Sequence, residues 1–158
     1  MTTQPLPVAN TILAKARNMI GQYTYSQMDC SHFVHAVYNA AGLIYPYKST
    51  AEFQTLTNGS NAKFELVQNN QKQAGDIILM TGHMGIYDPQ GCTVLATNAE
   101  CSRLNNNAPF LSSRSSSNRG PDYGQTNWWS QSFKVYRWKQ VGGLQANGLP
   151  SVKTPPFF

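Results

Sequence analysis

Residues 75–87 read GDIILMTGHMGIY, two apolar segments separated by Thr-Gly-His. The segment Asp76–Met80 predicts a buried strand, and Met84–Tyr87 predicts a second strand. The turn sequence Asp-Pro-Gln-Gly follows at 88–91, so we expect Met84–Tyr87 to form a hairpin with Thr93–Ala96. This part of the chain is therefore predicted to fold as antiparallel sheet.

Helices are predicted ahead of this sheet. Thr11–Ile20 has helical apolar spacing, and Asn10 is its expected N-cap. A second helix is expected over Cys30–Ala41, because a glycine follows it at the position where helices commonly end. Residues 49–52, Ser-Thr-Ala-Glu, match a capping box and predict a further short helix.

The remaining segments complete an α+β pattern. Phe64–Val67 and the alternating Phe133–Trp138 predict two more strands. Residues 98–127 are rich in Asn, Ser and Gly and are predicted to be a long polar loop, and 141–158 an irregular tail. Helices followed by antiparallel strands indicate the α+β class, and residues 1–158 suit a single catalytic domain.

Composition excludes several classes of protein. The chain has no dense Lys/Arg stripe with interleaved aromatic residues, so we do not expect it to bind nucleic acid. It has no run of about 18 apolar residues, which argues against a membrane span. Its first residues lack a basic segment followed by an apolar core, so no Sec signal peptide is expected. The net charge of +5 is compatible with a solubility role or with attraction to an anionic partner such as cell wall.

Two residues stand out as candidate catalytic groups. Cys30 follows Asp29, a good N-cap, and would open a helix whose positive end favours a thiolate. The alternative for Cys30 is a small buried apolar residue. His83 precedes a predicted strand, where small neighbours could present it to the cysteine as a general base, although a lone histidine is more often structural.

Four segments together resemble the NlpC-type cell-wall cysteine peptidases. They are GQY at 21–23, DCSHFV at 29–34, GDII at 75–78 and GHMGIY at 82–87, in the order and approximate spacing of that family. Its members are papain-like enzymes that cut peptide bonds in peptidoglycan. The resemblance covers roughly residues 10–98 and implies a papain-like fold, with N-terminal helices packed on a small antiparallel sheet.

The resemblance also implies roles for individual residues. Cys30 matches the nucleophile and His83 the general base. Tyr23 matches the active-site tyrosine near the oxyanion position, and the backbone N–H of Cys30 would supply a further oxyanion donor. Asp29 and Ser31, which flank the cysteine, are the other candidate oxyanion and substrate-binding residues.

The chain departs from the family pattern in two places. His32 stands where the family usually has glycine. The third catalytic residue, which orients the histidine, aligns with Leu95, which cannot orient an imidazole. Asn98 is the candidate for that role, Thr97 and Glu100 are alternatives, and a Cys-His dyad is a further one.

Other cysteines and histidines have weaker interpretations. His32 and His35 lie about 200° and about 140° around the helix from Cys30, so we expect them to face solvent and we expect no metal site. No cofactor is expected. Cys92 and Cys101, nine residues apart, would form either a disulfide that braces the polar loop or two independent thiols.

The leading functional hypothesis is a peptidoglycan amidase or endopeptidase that acts on stem peptides or crosslinks through a thioester. A small lone catalytic domain without a signal resembles the amidase effectors of type VI secretion. Such a toxin would be made in the cytoplasm, act as a monomer in the periplasm of a target bacterium, and have a cognate immunity protein. Alternatives are a phage or housekeeping wall hydrolase, a papain-like acyltransferase, or a non-catalytic wall-binding module on a decayed peptidase scaffold.

Overall fold

The computed structural model describes residues 6–91, 109–126 and 131–139. Within them lie two α-helices, α1 (Leu6–Asn18) and α2 (Cys30–Ala40). The strands are β1 (Phe64–Val67), β2 (Ile77–Met80), β3 (His83–Tyr87), β4 (Phe110–Arg114), β5 (Gly120–Gly124) and β6 (Lys134–Trp138). Short 3₁₀-helices cover Thr50–Leu56, Asn69–Gln71 and Ser116–Asn118.

All six strands form one antiparallel sheet in the order β1-β6-β2-β3-β4-β5. The fold is therefore α+β, as predicted from the helices that precede the strands. A tight turn joins β2 to β3 at Thr81 and Gly82, where Gly82 takes a φ of +80° that favours glycine. In the described part of the chain, no helix has the length and apolar character needed to span a bilayer.

The two faces of the sheet pack against different partners because side chains alternate along each strand. One face lies against the helices, and its core joins Leu79, Met84, Ile86 and Leu111 to Phe33, Val34 and Val37 of α2. The opposite face carries a smaller cluster of Ile78, Met80 and Phe110, with Tyr87 and Phe133 packed on it. The helices therefore cover a single face of the sheet, over β3 and β4.

The helix that begins at Cys30 agrees with its predicted bounds to within one residue. The Asp29 side chain accepts a hydrogen bond from the backbone N–H of His32 and caps the helix, as predicted. Beyond the other end, Gly42 has a φ of +86°. α1 was predicted less well, because it begins before Asn10 and includes Pro7, which the first turn of a helix tolerates.

The strand predictions were correct for β1, β2, β3 and β6 and wrong for part of the polar region. Residues 98–127 were predicted to be a loop, but β4 and β5 lie within that range. Ser112 and Ser113 are buried there because their hydroxyls meet partners far away in sequence, His83 and Met28, which local composition does not reveal. The neighbours of β3 are β2 and β4.

Some predicted elements lie outside the described residues. These are the hairpin partner Thr93–Ala96 and the tail 141–158. The capping box at 49–52 is only partly formed, because the Ser49 hydroxyl donates to the Glu52 carboxylate at 3.2 Å and makes no cap hydrogen bond. The helix that follows is of the 3₁₀ type.

Two buried carboxylates join elements of the fold that are distant in sequence. Asp88 is fully buried and accepts hydrogen bonds from Arg17 of α1 at 2.9 Å and from the Tyr123 hydroxyl of β5 at 2.7 Å. Asp76, before β2, is held by Arg137 of β6 through two hydrogen bonds of 2.9 Å. These pairs connect segments distant in sequence and so stabilise the arrangement around the site.

Candidate active site

Cys30 is the first residue of α2 and is 4% exposed. Its Sγ lies 3.4 Å from the hydroxyl oxygen of Thr50, at the start of the 3₁₀-helix. The thiol belongs to the same buried cluster as Met84, the residue that follows His83 on β3. The helix N-terminus, with its unpaired N–H groups and positive dipole, therefore meets the sheet at the thiol.

The loop that leads into Cys30 is held by the β4–β5 hairpin. Ser113 of β4 donates a hydrogen bond to the carbonyl oxygen of Met28. Asn118 takes a left-handed φ of 52°, and its side-chain oxygen accepts from the Ser26 N–H at 2.9 Å while its carbonyl accepts from the Tyr25 N–H. The position of the cysteine thus depends on a hairpin about 80 residues further along the chain.

His83 is the first residue of β3 and is 6% exposed. Its Nε2 lies 3.0 Å from the hydroxyl oxygen of Ser112, on the neighbouring strand β4. The ring of Phe110 packs edge-on against the imidazole, with 5.7 Å between ring centroids. His83, Phe110 and Ser112 share the face of the sheet opposite the helices, so a contact with Cys30 would have to form at the end of the sheet where β3 begins.

The environment of His83 keeps its imidazole neutral at pH 7. Burial lowers the pKa of His83 to about 4, and the positive charge of Arg114 contributes to this shift. A neutral imidazole has one nitrogen able to accept a proton. With Nε2 beside the Ser112 hydroxyl, Nδ1 is the nitrogen that we expect to exchange a proton with a thiol.

This burial has a measurable consequence for stability. The pKa of His83 is 6.5 in the unfolded chain and about 4 in the folded chain. Between these two values the unfolded chain binds more protons, so the free energy of unfolding decreases as the pH falls from 6.5 to 4. The loss amounts to about 3 kcal/mol once the pH is below 4.

Urea unfolding of the wild type and of His83→Gln between pH 4 and pH 8 measures this contribution. The difference in free energy of unfolding between the two proteins should be constant above about pH 7 and should change by about 3 kcal/mol at pH 4. A difference that stays constant down to pH 4 would show that the histidine is not buried in a neutral form.

Neighbours of both Cys30 and His83 line one cleft. Thr50, which contacts the thiol, lines this cleft together with Thr81 and Gly82, which directly precede His83. The Ser113 hydroxyl donates a hydrogen bond to the Met28 carbonyl, and Ser113 is one residue from the end of β4. Because β3 and β4 are antiparallel, that end of β4 lies beside the start of β3. The N-terminus of α2 is therefore at the end of the sheet from which His83 projects.

Comparison with protein-family models matches residues 19–137 to the NlpC/P60 family. The chain belongs to the NlpC/P60 family. The match covers all of α2 and β1 to β5 and β6 as far as Arg137, so the candidate site falls within it. No curated protein matches the chain significantly.

Membership in the NlpC/P60 family supports a cell-wall peptidase or amidase that acts on peptidoglycan. It confirms the resemblance first seen in the DCS and GHMGIY segments. Membership in the family assigns no catalytic role to any individual residue.

The candidate partners of the histidine in this NlpC/P60 chain stay untested predictions. Asn98, Leu95, Thr97 and Glu100 all lie outside the described residues. Among the described residues, Ser112 is the polar side chain whose contact with the imidazole nitrogen is seen. In the sequence, the apolar pair Phe-Leu at 110–111 is the local signal that β4 begins at Phe110.

Asp29 and Ser31 form a small polar cluster at the start of α2. The Ser31 hydroxyl lies 2.7 Å from the Tyr47 hydroxyl and donates to Asp29 at 3.2 Å. The His32 ring stacks on Tyr47 with 4.1 Å between centroids, and its Nδ1 lies 2.7 Å from Asp29. Burial alone would raise the pKa of Asp29, but the hydrogen bonds and charge from His32 and the Ser31 hydroxyl outweigh it and lower that pKa.

Two tyrosines precede Cys30 on the loop that leads into α2, Tyr23 and Tyr25. Tyr23 is 41% exposed, and its oxyanion role stays a prediction. Burial raises the pKa of Tyr25, and the negative charges of Cys30 and Asp29 raise it further. Tyr25 is therefore a phenol that keeps its proton at neutral pH and can donate a hydrogen bond.

The remaining sequence predictions concern metals, histidines and a disulfide. The described residues contain no group of three or more side chains suited to hold a metal ion. His32 is exposed, but His35 is half-buried rather than fully exposed, because its Nε2 lies 2.9 Å from the Tyr45 carbonyl oxygen. Cys92 and Cys101 lie outside the described residues, so their pairing stays a prediction.

Proposed function

We propose that this NlpC/P60 protein is a peptidoglycan amidase or endopeptidase in which Cys30 is the nucleophile and His83 the general base. The observation that carries the proposal is the buried His83 imidazole beside Ser112, on a strand packed under the helix that Cys30 begins. An oriented base near a cysteine at a helix N-terminus is the arrangement that activates a thiol. The Ser112 hydroxyl also favours the catalytic interpretation over a decayed scaffold, because it is a polar group able to orient the ring.

The first half of the reaction forms a thioester. The Cys30 proton passes to Nδ1 of His83, and the sulfur attacks the carbonyl carbon of a stem or crosslink peptide bond. The carbonyl electron pair moves to oxygen, where the Cys30 N–H and the Tyr25 or Tyr23 hydroxyl stabilise the negative charge. When the carbonyl reforms, the C–N bond breaks and the amine leaves with the proton from His83.

The second half regenerates the enzyme. His83 takes a proton from water, and the oxygen of that water attacks the thioester carbon. The C–S bond breaks, the thiolate regains the proton from His83, and a carboxylic acid product departs. Because burial lowers the pKa of His83 to about 4, the base is neutral before each attack.

Solubilisation of purified, dye-labelled sacculi tests the proposal. The protein should release dye over time, and prior treatment with iodoacetamide should prevent the release. Release that continues after complete alkylation of the thiols would exclude a cysteine mechanism.

Ser112 gives a sharper test of how the base is held. Replacing Ser112 with alanine removes the hydroxyl beside Nε2, so the imidazole loses its preferred orientation. We expect kcat to fall about ten- to a hundredfold with little change in KM, and the pH dependence of kcat to shift.

The conservative variant Ser112→Thr keeps the hydroxyl and serves as the matched control. It should recover most of the lost kcat if the hydroxyl orients the ring. Equal losses in both variants, with KM raised and the pH profile unchanged, would assign Ser112 a packing role only.

We further propose a narrower setting for this activity, an antibacterial effector of type VI secretion. The protein would act as a monomer in the periplasm of a target bacterium, and a cognate immunity protein would cover its cleft. The net charge of +5 suits attraction to an anionic wall, although a phage or housekeeping wall hydrolase would share the chemistry.

Expression in a Gram-negative host tests this setting. The protein fused to a Sec leader should lyse the cells, and the same protein kept in the cytoplasm should not. Equal growth of the two strains would contradict the toxin proposal without affecting the enzymatic one.

A further inference from the structure

The cleft beside the candidate residues has an uneven distribution of charge. It encloses about 400 Å³, a size typical of sites for small ligands or peptide side chains. The buried Leu79 supplies an apolar floor on the face of the sheet that carries the helices. Lys134 is the one charged residue among the described residues that line the cleft.

Lys134 is also unpaired within the part of the chain that the structure describes. It is exposed at the start of β6, opposite Leu79 of β2, and no carboxylate of the described residues forms an ion pair with it. Other cations do have partners: Arg17 holds Asp88, and Arg137 holds Asp76. A free ammonium above an apolar floor matches a ligand with an aliphatic part and a carboxylate.

The smaller cavity of about 180 Å³ between α1 and β6 lacks this feature. Its lining includes the paired Asp76 and Arg137, whose charges satisfy each other. Because its lining also includes the Glu65 carboxylate, the smaller cavity does not suit an anion. The unpaired cation therefore marks the larger cleft, and that cleft adjoins the candidate catalytic residues at Thr50 and Gly82.

We propose that Lys134 is a specificity-determining residue that binds a free carboxylate of the substrate residue lying next to the scissile peptide bond. This inference rests on the proposed function. The aliphatic part of that substrate residue packs on Leu79, which pairs with Lys134 across the sheet, and its carboxylate accepts hydrogen bonds from the Lys134 ammonium. The substrate class is thus an acidic peptide, and amidation of its carboxylate weakens binding.

Paired substrates test the inference. Two muropeptides that differ only in a free or amidated carboxylate beside the cleaved bond are offered to the wild type, Lys134→Gln and Lys134→Arg. The wild type should prefer the free carboxylate by about tenfold in kcat/KM, mainly through KM. Lys134→Gln should lose this preference, Lys134→Arg should keep most of it, and added salt should reduce it.

Lys63→Gln is the matched control, because Lys63 is an exposed lysine that does not line the cleft. It should keep the wild-type preference. Cleavage of both substrates at equal rates by the wild type, or an unchanged preference in Lys134→Gln, would overturn the role of Lys134 and leave the proposed function standing. If the wild type cleaved neither muropeptide, the proposed function would fail, and this inference with it.

Discussion

Replacing Cys30 with alanine is expected to abolish the release of peptidoglycan fragments, with a loss of activity of about a thousandfold or more. The thiol is the nucleophile of the proposed reaction, and a methyl group in its place cannot form the thioester. Because Cys30 is a small side chain at the rim of the core, the helix should still form, capped by Asp29. The measurement is the initial rate of dye release from labelled sacculi, with circular dichroism to verify the fold.

Alkylation provides the corresponding evidence in the unmodified protein. Iodoacetamide at neutral pH should react with Cys30, and the fraction of Cys30 modified should equal the fraction of activity lost. Peptide mass mapping separates this thiol from Cys92 and Cys101. Activity in a folded Cys30→Ala variant comparable with that of the wild type would remove Cys30 from the mechanism.

The second large effect is expected at His83. Glutamine in its place keeps polar atoms beside Ser112 but cannot accept and return a proton, so kcat should fall by about a hundred- to a thousandfold. The alkylation rate of Cys30 near neutral pH should fall as well, because the thiol loses its base. Both quantities can be measured on the same protein sample.

The equivalent substitution at His35 is the control. Its ring contacts the Tyr45 carbonyl, on the helix side away from the thiol, so His35→Gln should keep activity within about threefold of the wild type. His83→Gln with more than a tenth of the wild-type activity would contradict the assignment of His83 as the base.

The sequence predicts the parts of this fold whose signals are local. Asp29 caps α2 with its own side chain, and Gly42 takes a left-handed conformation just beyond the helix, so both ends of α2 follow from neighbouring residues. The apolar run of β2 and the alternation of β6 indicate strands in the same way. Cys30 and His83 are marked by short motifs close to them in sequence.

The parts that were missed depend on contacts between distant residues. Ser112 and Ser113 resemble loop residues until the fold brings one to His83 and the other to Met28, about 30 and 85 residues away. The resemblance aligns the third catalytic residue with Leu95, and Asn98, slightly further along the chain, stays a prediction for that role. The strand beside β3 is β4, so the seryl hydroxyl is the partner seen, and only pairing of the strands could reveal it.

The most direct test of the central claim is mass analysis of the muropeptides released when purified Gram-negative sacculi are digested. We expect released muropeptides that are heavier than the uncut muropeptides by one water, added across a peptide bond. Each cut leaves a new amino and a new carboxyl terminus in the stem or crosslink. The same digest with Cys30→Ala should contain none of them. Products cut in the glycan strands, or no products from a folded wild-type protein, would contradict the claim that this chain is a cysteine amidase of peptidoglycan.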